Sequence, residues 1–248
     1  MSNLIRGESY KLRKSRYFVG MIFLSLVAAF FMMSYYDDNI HRLTGTNSEV
    51  ASGMYSIYYP FTCIIFTSFI FSLFAGEFIA KDLKNNISKS FMYGYKRSKV
   101  ILSKLIVFII FSLFIELIYT VILVCYADKS YWFDYNIENI LALIRIIGIG
   151  TLYNVATISI VAMIAVITKN NLVTVVSPII FLLCCPILAL QNYMSIIVAC
   201  ACPFVFGEAA IARFAPISDI IIGIVSSVLT IIITIGISLL YVKREDIK

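Results

Sequence analysis

Six long apolar stretches divide this chain, at about residues 17–36, 56–80, 101–126, 138–167, 172–190 and 218–242, with polar segments between them. A bilayer's hydrocarbon core, about 30 Å thick, takes roughly 20 apolar residues in helical form. Each stretch approaches or exceeds that length, so the pattern predicts an all-α integral membrane protein with six transmembrane helices. No small-residue cleavage site follows the first stretch, which therefore reads as a retained helix and not a signal peptide.

Two regions need more than a plain span. In "SNLIRGESYKLRKSRYF", Leu4, Ile5 and Leu12 share one helical face among basic residues. This fits an amphipathic helix on the membrane surface over 1–16, or a solvated basic tail interrupted at Gly7. Residues 170–207 contain no charged side chain, a run of 38. As one straight helix this run would reach about 57 Å at roughly 1.5 Å per residue. It must bend, and Pro178, Pro186 and Pro203 are the natural breakpoints. The fifth span is expected to leave the membrane near "LQNYM" (190–194), and about 193–215 to form a short outer helix or hairpin before the sixth. Residues 17–248 then make one transmembrane domain.

Composition agrees with the pattern: 61% of the 248 residues are apolar, 14% are charged and mean hydropathy is +0.94. The net charge of +6 is distributed in a way that argues against a nucleic-acid partner. With six crossings, sixteen of the twenty lysines and arginines fall on one side, in 1–16, 81–104, at Lys169 and in the C-terminal segment. Three fall on the other, Arg42, Lys129 and Arg213, and Arg145 lies within a span. By the positive-inside rule both termini are cytoplasmic.

Intramembrane catalysis finds few candidates. The single histidine, His41, lies in the first outer loop, and neither H-E-x-x-H nor G-x-x-x-x-G-K-[ST] occurs. The six cysteines sit in apolar sequence without nearby histidine and read as small packing residues. No catalytic, cofactor-binding or metal site is expected in the chain. Three ionisable residues at membrane depth stand out because burying charge is costly. Glu77 ends the second span, Glu116 is central in the third and Arg145 lies in the fourth. Counted from outer ends near 126 and 138, Glu116 and Arg145 are expected within about one helical turn of each other, as an intramembrane ion pair. Such a pair locks two helices together or serves a substrate or proton, and Arg145 alone could snorkel outward.

The segment "GEFIAKDLKNNISKSFMYGYKRSKVILSK", 76–104, concentrates seven basic residues. Ile79, Leu83, Ile87 and Phe91 recur every four residues, giving a helix of about 80–92 one apolar stripe, of the kind that seats in a partner's groove. The plainer alternative is an ordinary positive-inside loop.

The order of "ESYKLRKSRYF", then "GEFIAKDLKNNISKSFMYGYKRSKVILSKL", then six spans in about 250 residues resembles the permease subunits of ABC-2-type transporters. In that family the corresponding segment looks like E-F-x-x-G-T-L, then a basic turn and a lysine at the start of the third span. Glu77, Phe78 and Lys104 match, while "AKDLKNNIS" and "GYKRSK" depart from it. The resemblance implies that 80–92 is a coupling helix docking on a separate ATPase, with Glu77, Phe78, Leu83, Ile87 and Phe91 at the contact. It also implies two ABC ATPase subunits carrying ATP and magnesium, and a second permease copy or paralogue. A bacterial cytoplasmic membrane and export of an amphipathic or hydrophobic solute, a peptide or antibiotic, follow from the same resemblance. Two other readings stay open: an ion-coupled secondary transporter using Glu116 or Glu77, and a non-transporting immunity or assembly factor.

Overall fold

The computed structural model describes residues 2–43, 57–58, 61, 64–84, 96–130, 136–179, 203–212 and 215–245. Among these residues every regular element is a helix. They are α1 (Ser2–Lys14), α2 (Arg16–Leu43), α3 (Ile64–Ala75), a π-helical turn (Gly76–Ala80), α4 (Arg97–Ser130), α5 (Ile137–Thr168), α6 (171–179), α7 (Pro203–Ile211) and α8 (Ile217–Glu245). Four described helices are long and apolar enough to cross a membrane: within α2, α4, α5 and α8. Of the second and fifth expected spans, α3 with its π turn, residues 57–58 and 61, and α6 are described, and the remainder of each lies outside the described residues.

The N-terminal segment is one continuous helix through Gly7, which a single glycine interrupts at a cost of only about 1 kcal/mol. Ser15 ends it, its amide and hydroxyl both donating to the Leu12 carbonyl at 2.9 and 2.6 Å. The chain then turns into α2.

α5 is the central helix, buried along most of its length, while α2 and α8 leave wide apolar faces exposed. In water such faces would be a liability; against lipid they are the expected surface. α8 is accordingly polar on its inner side: Ser226, Ser227, Thr230, Thr234 and Ser238 are buried, and Ile221, Val225, Leu229 and Ile232 are exposed. The buried hydroxyls donate to carbonyls three or four residues back, as from Thr230 to Ser226 at 2.8 Å, which satisfies them without water. Thr234 also donates across the interface to Ser159 of α5 at 2.9 Å. Small hydroxyl residues let two membrane helices approach closely while removing unsatisfied polar atoms.

The larger apolar core joins α1, α2, α3, the π turn, α4 and the C-terminal half of α5. Phe74 anchors it, with ring centroids 4.9 Å from Phe108, 5.0 Å from Phe111 and 5.4 Å from Phe78. A second cluster packs the first half of α5 on α7 through Tyr153, Ala210 and Ile211. Close approach there depends on Gly207, where a Cβ would lie 2.3 Å from the Tyr153 ring.

Candidate functional site

The residues around the second span's end form a polar hub under the aromatic core. Lys104 lies two turns into α4, is 2% exposed, and would be prohibitive to bury alone. Its ammonium group has three donors, and three acceptors meet them: Asp82, Glu8 at 3.1 Å and the Phe78 carbonyl at 3.4 Å. The Phe78 ring lies 4.7 Å from the same nitrogen, a cation–π contact. Asp82 in turn accepts from Lys11. One buried cation thus ties together α1, the turn that follows α3, and α4.

The π turn adds a second knot. Its fifth-residue spacing closes with the Lys81 amide donating to the Gly76 carbonyl, a widening often found at functional sites. Glu77 within it pairs with Lys81 at 2.7 Å and accepts from Asn171 of α6 at 3.0 Å. Lys81 also reaches the Tyr17 hydroxyl at 3.2 Å, and its bond to Glu77 holds the ammonium group above its ordinary pKa. Glu77 therefore joins α3 to α6 and, through Lys81, to α2. Gly76 is small because Asn171 passes against it: a Cβ there would lie 2.0 Å from Asn171 Oδ1.

Of the five residues expected at an ATPase contact, Glu77, Phe78 and Leu83 are described; Ile87 and Phe91, with the rest of 85–95, lie outside the described residues. Phe78 and Leu83 face inward, 8% and 4% exposed, in the same buried cluster as Leu12, Leu105 and Phe108. The four-residue apolar stripe is thus met, at Leu83, by the chain's own helices. On the described part of the turn the exposed side chains are Lys81 and Lys84.

Glu116 and Arg145 have different partners. Glu116 accepts from Asn154 of α5 at 2.5 Å, with both residues buried, whereas Arg145 donates to the Ala212 carbonyl after α7. The physical reason is register. α4 runs to Ser130, which puts Glu116 fourteen residues from its end, and Arg145 is only eight from the start of α5 at Ile137. Six residues of offset separate them by about 9 Å along the helices. Among the described residues, no group of His, Cys, Asp or Glu is arranged to hold a metal.

Sequence reasoning passed over Glu8, Asp82, Asn154 and Asn171. A signal existed for three of them. Glu8 is the only acid in the basic stretch 1–16, Asp82 one of two acids in 76–104, and Asn154 the one amide in the interior of the fourth span, Asn139 being at its end. An isolated acid in a basic segment, or an amide at membrane depth, is where a buried partner should be sought.

The sequence pattern described as ABC-2 family transporter protein matches residues 4–185, from the first turn of α1 to beyond α6, and so includes every residue of the hub. The chain belongs to that family. No curated protein matches it. An ABC-2 permease is a membrane component that works with a partner ABC ATPase, where ATP hydrolysis takes place. That role suits a chain in which buried Lys104, with Glu8 and Asp82, ties helices together.

Proposed function

We propose that this chain is the permease of an ATP-driven exporter moving an amphipathic or hydrophobic solute, a peptide or antibiotic, out of a bacterial cell or its membrane. Six spans, cytoplasmic termini and a dimer of permeases served by two ATPases complete the reading. The segment from Glu77 through about residue 92 is the coupling element. The observation that carries the proposal is the hub within the family match: force applied to the turn after α3 passes through Asp82 to Lys104 of α4 and to α1, and through Glu77 to α6. ATP-driven closure of the partner subunits would move these helices as one block.

The cation lies inside the block, and the surface left for the ATPase is the exposed side of the turn with Ile87 and Phe91 beyond it. In proteoliposomes containing permease and ATPase, ATP should drive accumulation of an amphipathic peptide, and Asp82→Asn should uncouple hydrolysis from transport. ATP-independent transport driven by a proton gradient would overturn the proposal. It would favour the ion-coupled reading, for which the buried Glu116 carboxyl, with Oε2 unpartnered, is the supporting feature.

A further inference from the structure

Glu116 takes no part in the hub. It lies inside Arg97–Tyr126, the membrane-crossing stretch of α4, and is 3% exposed. Its Oε1 accepts from Asn154 of α5 at 2.5 Å, while Oε2 has no hydrogen-bond partner among the described residues. Beside it is a chamber of about 10 Å³, lined also by Ser25 of α2, Ile70 and Phe71 of α3, and Ile115 and Tyr119 of α4. None of these residues is charged, nor is Asn154, and Tyr119 is the only other titratable group among them. Ser112, one turn earlier on the same face of α4, is fully buried, and its hydroxyl also has no partner among the described residues.

An ionised carboxylate here would have one neutral amide to replace the water it lost, and a single hydrogen bond does not offset that desolvation. Its charge must be met by something else. No lysine or arginine lines the chamber. A hard divalent cation takes six or more oxygen ligands, but only Glu116, Ser25 and Tyr119 bring polar side chains to walls otherwise made of Ile70, Phe71 and Ile115. The space holds one water-sized body at most. A proton needs a single lone pair, and it completes the arrangement: Oε1 remains the acceptor for Asn154, and Oε2 becomes a donor. The Ser112 hydroxyl, on a residue whose Cβ is about 5–6 Å away by helix geometry, is an acceptor that one water can bridge. We propose that Glu116 is a proton-binding site at membrane depth, carried by the folded permease as the neutral acid with its Oε2 proton directed toward Ser112. A proton bound in this way need not cross the membrane, so the site is compatible with an ATP-driven exporter.

The test is infrared difference spectroscopy of the full-length chain in phosphatidylcholine bilayers at neutral pH, comparing the native protein with Glu116→Gln. Glutamine keeps a carbonyl for Asn154 and puts an N–H donor where the acid has O–H, so the variant should fold, which thermal unfolding checks. The expected difference is one neutral-acid carbonyl band per chain and no carboxylate band. An exposed glutamate at neutral pH would hold a proton in only roughly one molecule in 500. In Asn154→Ala the acid band should move to higher frequency, as a carbonyl does on losing a hydrogen bond. Carboxylate bands in place of the acid band would overturn the proposal. So would an acid band that vanishes when sodium replaces choline at constant pH, which would mark a metal-cation site, or one of equal strength in both proteins, which would place the acid on another residue. The band needs neither ATP nor transport, so the exporter reading can fail while this site stands, and the reverse.

Discussion

Lys104 shows why single side chains matter in a fold otherwise held by apolar packing. Removing one partner of a buried charge cluster leaves the others uncompensated, at a typical cost of 3–5 kcal/mol. Lys104→Met should therefore lower stability by about 3 kcal/mol, the lower end, because Glu8 and Asp82 are each 15% exposed and can draw on solvent. Combining it with Glu8→Gln and Asp82→Asn should recover most of the loss, as read by thermal unfolding in detergent. A triple variant no more stable than the single one would show that the cluster is not the source of the penalty. Glu116 makes a second test. Asn154→Ala should cost about 1–3 kcal/mol by leaving the buried carboxyl without its donor. Glu116→Gln, which keeps an acceptor for the Asn154 amide, should unfold near the native temperature. If Glu116→Gln destabilised as much as Asn154→Ala, the hydrogen bond between them would not be the relevant contact.

Packing between helices turns on where glycine is required. At Gly207 a new Cβ would strike the Cβ and ring of buried Tyr153 at 2.3–2.7 Å, atoms with no room to yield. Gly207→Ala should separate α7 from α5 and cost about 3 kcal/mol or somewhat more. At Gly148 and Gly236 nothing lies within 4 Å of the added atom, so alanine there should be neutral or stabilising by up to about 1 kcal/mol. Equal unfolding temperatures for the Gly207 and Gly236 variants would refute this packing. The helices themselves were largely legible from hydropathy: α5, observed at Ile137–Thr168, was expected at 138–167. The π turn was not, because "GEFIA" looks apolar and helical whether its bonds close at four residues or five. Nor was Leu83's destination, since apolar spacing states that a face is covered without stating by what. The Glu116 pairing failed because acids are conventionally matched to bases, and a four-residue extension of α4 shifted the register toward a neutral amide.

At the scale of the whole molecule, the account holds that α1, α2, α4 and α6 converge on the turn after α3, and that a separate ATPase acts on this block from the exposed side. The structure changes how that is tested. Leu83→Asp would place a carboxylate in the permease's own core, so lost ATPase binding could reflect a broken fold. Crosslinking from Ile87, the next residue of the expected stripe, reads contact with the ATPase directly and does not infer it from lost binding. The most direct measurement is site-specific photocrosslinking from residue 87 in membranes containing the permease and its ABC ATPase, with the same probe at residue 129 as reference. The account predicts an ATPase adduct from 87 and none from 129, and its loss in Ile87→Asp permease of normal abundance. No ATPase adduct at 87, or an equal yield from both positions, would contradict it.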